Sequence, residues 1–198
     1  KQIRMLIKCN QCLLLLIACI SGIPKIDKYI TAYIQKINTI KVSNYFSNVI
    51  CEYNVLISIT ICYQYGVFYL WTIKAIIDFI IVNSICKVFI KRYRPREIET
   101  NNRENTQITL RPLNEVTWDK IFIHNSFPSG HVTSSYTTYL ILKEIKPNIT
   151  FLVNVQWCLF VITIYGRINV KAHYLSDCMF AICISQLCFD ILNANRTT

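Results

Sequence analysis

Phe127-Pro128-Ser129-Gly130-His131 runs without a break into Val132-Thr133-Ser134-Ser135-Tyr136-Thr137-Thr138 and on to about Glu144, a tight turn opening a helix. Such a turn leaves the first backbone N–H groups of the helix without intrahelical partners, and with the helix dipole these favour an anion at that end. Ser129 and Gly130 supply the donors. Gly130 has no side chain to hold an oxyanion away from its backbone, His131 is placed to donate or take a proton, and Pro128 fixes the entry. Thr133, Ser134, Ser135, Thr137 and Thr138 make this helix too polar to face lipid, so it belongs inside a helical bundle. The same residues also open ordinary helices, and the rest of the chain decides between the two readings.

The 198 residues are 53% hydrophobic with only 4 Gly and 5 Pro, and the mean hydropathy is positive. That is one domain's worth of chain, residues 1–198, and too apolar for an ordinary soluble fold. The ten cysteines lie mostly in apolar stretches, at 19, 51, 62, 86, 158, 178, 183 and 188, where they act as small hydrophobes. Cys9 and Cys12 form a lone CxxC with no second pair beside it, which argues against a metal or redox role. The net charge of +10 sits in connections between apolar segments. Anionic headgroups or phosphate fit those charges better than nucleic acid does.

Stretches of about 20 apolar residues can cross a bilayer, and the order of segments predicts an all-α, polytopic transmembrane bundle of about six spans. A short first span or uncleaved anchor covers residues 13–23, although Leu16-Ile17-Ala18-Cys19 resembles a lipoprotein cleavage box. From Pro24 to about Phe46, Ile26, Tyr29, Ile30, Tyr33, Ile34 and Ile37 recur at helical spacing among lysines, which reads as an interfacial helix. Spans two and three cover roughly 49–71 and 72–90, with Lys74 and Asp78 one turn apart as a solvated or snorkelling pair. One long polar connection, 97–126, reads as a lid or substrate-facing loop with Trp118 and Phe122 as interface anchors. The fourth helix follows the Pro-Ser-Gly-His turn, and the fifth and sixth cover roughly 149–165 and 173–192. The connections between spans three and four and between five and six then emerge on one membrane face.

Two further clusters fall on that face. Lys87, Lys91 and Arg94 are spaced i, i+4 and i+7, one stripe if the helix continues, although Pro95 biases Arg94 toward an extended conformation. A lysine point charge and an arginine fork suit the oxygens of a phosphate, whereas the bland alternative is a basic cluster at a membrane surface. Near the other end Arg167, His173 and Asp177 follow one another, and the last two lie one helical turn apart. The carboxylate can accept from one imidazole nitrogen and leave the other as nucleophile or base. An aspartate inside a membrane segment needs a partner or a function.

Together Lys87 with Arg94-Pro95, Pro128 to His131, and Arg167 with His173 and Asp177 resemble the three motifs of the type 2 phosphatidic acid phosphatase superfamily, integral-membrane lipid phosphatases. The resemblance spans residues 87–177. It departs at Gly166, where the family usually has serine. The resemblance implies that His173, assisted by Asp177, attacks phosphorus and forms a phosphohistidine, while His131 protonates the leaving oxygen and then activates water. Lys87, Arg94, Arg167, Ser129 and Gly130 would hold the phosphate oxygens, with no metal and no cofactor. A metal site of His124, His131, His173 and Asp177 is the weaker reading, because the surrounding cations would repel the ion, and His124 reads as a loop residue.

The implied partners are the bilayer and a phosphorylated membrane lipid: phosphatidic acid, phosphatidylglycerol phosphate, a polyprenyl diphosphate or a lipid A phosphate. The implied location is the cell (inner) membrane with the site on the extracytoplasmic face, against the count of basic residues in the connections. The rival functions are a lipid phospho-group or headgroup transferase and a non-catalytic lipid-phosphate binder.

Overall fold

The computed structural model describes residues 24–37, 53, 54, 56, 57, 59–101, 108–117, 119, 125–145 and 150–194. The expected first span, Trp118, Phe122 and His124 lie outside these residues, as do 49–52, 55 and 58 of the expected second span. The protein is mostly helical. Helix α1 is Pro24–Ile37 and α2 is Phe68–Asp78; α2 continues as a π-helical stretch, Phe79–Cys86, and a final α turn, Lys87–Phe89. Helix α3 is Pro95–Asn101, α4 is Gly130–Ile145, α5 is Thr150–Asn169 and α6 is Leu175–Ala194. Two short strands, β1 (Ile90–Lys91) and β2 (Thr109–Leu110), pair antiparallel. Among the described residues, α5 and the stretch Leu175–Asn193 of α6 are long and apolar enough to cross a membrane.

Helix α4 packs against α2, α5 and α6, as its hydroxyl-rich sequence predicts. Val132 joins Phe160, Ile168, Cys178 and Ala181 in one apolar cluster, and Leu140 and Ile141 join Cys62 and Phe189 in a second. The hydroxyls buried with them find partners, because a polar group unpaired away from water is destabilising. Thr133 Oγ1 donates to the Ser129 carbonyl at 3.1 Å, Ser135 Oγ accepts from Asn54 at 2.6 Å, and Thr138 Oγ1 accepts from Trp71 Nε1 at 3.1 Å. Gln156 on α5 ties the same layer together by donating to Asn54 Oδ1 and the Ser135 carbonyl. Cys62, Cys86, Cys158, Cys178, Cys183 and Cys188 are all free thiols.

Several boundaries and pairings differ from the sequence reading. The turn between the segments expected as spans two and three falls at Gly66, which has a φ of 68° that favours glycine, so Trp71 lies on α2. Lys74 and Asp78 are not a solvated pair: both are buried, Lys74 reaches Asn193 Oδ1 at 2.9 Å and Glu144 at 3.4 Å, and Asp78 accepts from Thr137 Oγ1. The Phe189 ring covers the Lys74 ammonium at 3.4 Å, so aromatic and polar partners replace water.

On α1 the buried residues are Asp27 and Thr31, while Tyr29 and Tyr33 face outward with Lys28 and Lys36. The outward mix of aromatic rings and lysines suits a membrane boundary. The long connection is not featureless, since it carries α3, β2 and a 3-10 turn at Leu113–Glu115. The chain pairs there because β1 offers an open edge immediately after the helix stops.

Candidate active site

The basic segment after α2 is extended, which breaks the predicted stripe. The helix ends at Phe89, and Lys91 turns away to an ion pair with Glu115 at 2.7 Å. Arg94 and Pro95 follow an isolated bridge between Tyr93 and Asn125. Asn125 is the fastener. Its Nδ2 donates to the Lys87 and Ile90 carbonyls at 3.2 and 2.6 Å, and its Oδ1 accepts from the Arg92 and Phe127 backbone N–H groups at 3.2 and 3.1 Å. Next to it the Ser126 N–H donates to the Arg92 carbonyl at 2.8 Å. The basic segment and the Pro-Ser-Gly-His turn are therefore one bonded unit, with Lys87 Nζ held 3.4 Å from the Asn125 carbonyl.

Ser129 precedes the first residue of α4, and its carbonyl accepts from the Thr133 N–H at 3.1 Å, the first bond of the helix. The Ser129 hydroxyl is buried and has no hydrogen-bond partner among the described residues. The Ser129 N–H, expected as an anion donor, instead donates to the Asp177 carbonyl at 3.4 Å, and it is the hydroxyl, at the positive end of α4 beside Gly130, that a bound oxyanion would complete.

The third cluster depends on how α5 ends. Arg167 lies in the last turn of α5 and not in a connecting loop. Lys171 adopts the left-handed conformation at φ 55°, its N–H donates to the Ile168 carbonyl at 3.1 Å, and the Ala172 N–H donates to the Arg167 carbonyl at 3.2 Å. This bond pattern closes a helix C-terminus and reverses the chain. His173 follows the reversal and is buried. Asp177, in the first turn of α6, reaches back to the Tyr174 N–H at 2.8 Å and caps that helix.

His173 Nδ1 lies 2.6 Å from the Ser126 carbonyl. A carbonyl only accepts, so Nδ1 carries the proton and the neutral ring presents an unprotonated Nε2. The direct partner is thus Ser126 and not Asp177, whose Oδ2 is 3.9 Å from Nδ1. At that distance the carboxylate can stabilise a positive ring but makes no hydrogen bond to it. Burial, then Arg167, Lys87 and Arg94, push the His173 imidazole well below the usual histidine range. Arg94 is itself drawn down to about 10 by burial and by Arg96 and Arg167, and stays charged at neutral pH. Burial first, and then the fields of Arg167, Lys87 and Arg94, act on His131 as well. The fold therefore brings Lys87, Arg94, Arg167, His131, His173 and the Ser129-Gly130 turn to one place.

Two residues absent from the sequence reading complete the surroundings. The Arg92 guanidinium is buried between Asp177, at 2.5 Å, and Asp27 of α1, at 2.6 Å. In the sequence Arg92 is one cation in a basic run. Asp27, an acid placed in register with the inward residues Thr31 and Ile34 of α1, is the signal that could have exposed the pair.

The helical bundle thus gathers three cations around His131 and His173. Residues 66–194 match the family description PAP2 superfamily. The chain belongs to the PAP2 superfamily, whose members are typically phosphatases acting on phosphate esters. No curated relative and no solved structure matches the chain.

Proposed function

We propose that the protein is an integral-membrane lipid phosphatase working through a phosphohistidine. The observation that carries this reading is the convergence of Lys87, Arg94 and Arg167 on His131, in the first turn of α4, and His173, bonded to the Ser126 carbonyl just before that turn. His173 Nε2 attacks phosphorus, the N–P bond forms as the P–O ester bond breaks, and the leaving alkoxide takes a proton from His131. Water then gives a proton to His131 and attacks phosphorus, the N–P bond breaks, and inorganic phosphate leaves. The three cations, the Ser129 hydroxyl and the free N–H groups at the start of α4 hold the equatorial oxygens, where charge sits in the transition state. The Ser126 carbonyl keeps Nδ1 protonated throughout, and Asp177 faces the positive ring of the intermediate.

The lipid part of the reading is supported by a cavity of about 370 Å³ lined by Trp71, Ala75, Ile76, Asp78, Gly130 and Thr137, among others. It shares Gly130 with the phosphate turn and runs between α2 and α4, so a headgroup held at the turn leaves an apolar groove for the rest of the molecule. The outward tyrosines and lysines of α1 fit a membrane boundary.

The test is phosphate release by detergent-purified protein from a panel of lipid phosphates and from a water-soluble phosphate monoester, with and without an acceptor lipid. Hydrolysis of one lipid well above the others supports the proposal. A product carrying the phospho-group on the acceptor would make it a transferase, and no turnover with retained phosphate binding would make it a binder. Vanadate, which mimics pentacoordinate phosphorus, is expected to inhibit and EDTA to have no effect.

A further inference from the structure

We propose that Arg92 and Asp27 are positioning residues that fix His173 from both sides, which places helix α1 in the working architecture of the site. The inference rests on the phosphatase reading for its kinetic consequence but not for its structural one. Arg92 acts through two arms. Its backbone carbonyl accepts from the Ser126 N–H at 2.8 Å and from the Ser126 hydroxyl at 3.2 Å, and its backbone N–H donates to Asn125 Oδ1. That holds in place the carbonyl which receives the His173 Nδ1 proton. Its side chain donates from Nη1 to Asp177 Oδ1 at 2.5 Å and to Ser176 Oγ at 2.6 Å. That holds the carboxylate facing the same imidazole.

Asp27 closes the device from a helix 65 residues earlier in the chain. Its Oδ2 accepts from Arg92 Nη2 at 2.6 Å and from Ser176 Oγ at 2.5 Å, and its Oδ1 accepts from the Ser176 N–H at 3.0 Å. The Tyr174 ring covers the guanidinium at 4.0 Å from its centroid. Arg92, Asp27 and Asp177 are each nearly excluded from solvent, at 3%, 2% and 0% exposure. A planar fork shared by two buried carboxylates has one geometry in which all three are satisfied, and removing one partner leaves a buried charge short of its bonds. Neither Asp27 nor Arg92 bonds to His173, so their effect reaches the reaction through Ser126 and Asp177.

The experiment uses the full chain labelled with ¹⁵N-histidine, its His173 signals assigned by difference with His173→Ala, alongside steady-state kinetics of the same samples. Wild type is expected to show His173 as the pure Nδ1–H tautomer. In Asp27→Asn, which keeps the side-chain volume, and in Arg92→Lys, which cannot span both carboxylates, the signals are expected to move toward tautomer averaging. Loss of alignment should lower kcat about tenfold or more with KM little changed. Folded variants that keep the wild-type tautomer overturn the proposal, whether or not kcat falls, because a merely structural role would leave the ring as it is. Should Asp27→Asn not fold, Ser176→Ala removes only the hydroxyl shared by Asp27 and Arg92 and reads the same coupling. If wild type hydrolyses nothing, the phosphatase reading fails, and the tautomer measurement still decides this one.

Discussion

The protein buries charge in two places, and the two are built on opposite principles. Toward the C-terminal end of α4, Lys74 is matched by Glu144 and Asn193, in the last turns of α4 and α6, and by the Phe189 ring, and Asp78 by Thr137. At the end where α4 begins, Lys87, Arg92, Arg94 and Arg167 share the carboxylates Asp27 and Asp177 as the buried ones among the described residues, with Glu97 also acting on Arg94. The first set is balanced within the protein and has a structural role. The second carries surplus positive charge beside an unsatisfied hydroxyl and a helix N-terminus, and such a surplus is stable only where an anion can enter. Burial alone does not mark a functional charge; imbalance does.

The largest effect that would sharpen this contrast is His173→Ala. Loss of the nucleophile should reduce phosphate release by on the order of 10⁴-fold or more with an unchanged elution profile in detergent. An active variant would remove His173 from the chemistry. Next, Arg167→Ala or Lys87→Met should lower kcat/KM by roughly 10²–10³-fold and weaken inhibition by vanadate, since each withdraws one cation from the surplus. The Lys74 cluster should respond through stability instead. Lys74→Met is expected to lower stability by about 1–2 kcal/mol, read as an earlier thermal unfolding midpoint, with turnover per folded molecule nearly unchanged. If Lys74→Met silences the enzyme while leaving the midpoint alone, the contrast between the two clusters is broken.

A fourth expectation follows from the cationic surroundings of His173. Because burial and those cations favour the neutral ring in the free enzyme, the acid limb of kcat/KM assigned to this residue should lie below pH 6.5. Activity is retained while the ring is neutral and is lost as pH falls through the lowered value. A limb at or above 6.5 that disappears in no His131 variant would contradict that placement. The smallest effect belongs to Lys171→Gly, which relieves a left-handed residue at the end of α5. It should stabilise the fold by at most about 1 kcal/mol and leave kcat alone.

What could be read from the sequence was whatever a single helix or turn sets locally. The Pro-Ser-Gly-His turn, the buried hydroxyl face of α4 and the proximity of His173 to Asp177 follow from spacing along one segment. The Lys87 stripe failed because the helix already ends at Phe89, where β2 captures the strand edge at Ile90 and Lys91, a contact made by residues far along the chain. The Arg92 pairing was illegible for the same reason, since its two carboxylates come from α1 and α6. Lys74 and Asp78 were misjudged because adjacency on one helix suggested a pair, whereas neighbouring helices offered each a better partner.

The π-helical stretch Phe79–Cys86 carries a consequence for how the chain tolerates change in length. A π turn holds more residues than an α turn, so the winding before Lys87 lags behind that of an α-helix of the same length. Lys87 follows this stretch directly, with Nζ 3.4 Å from the Asn125 carbonyl. Deleting one residue between 79 and 86 lets the segment rewind as α-helix with Lys87 near its present bearing, whereas a deletion in the α-helical turns before it would rotate Lys87 by roughly 100°. A scan of single-residue deletions would therefore show this stretch as a tolerant window in the helix.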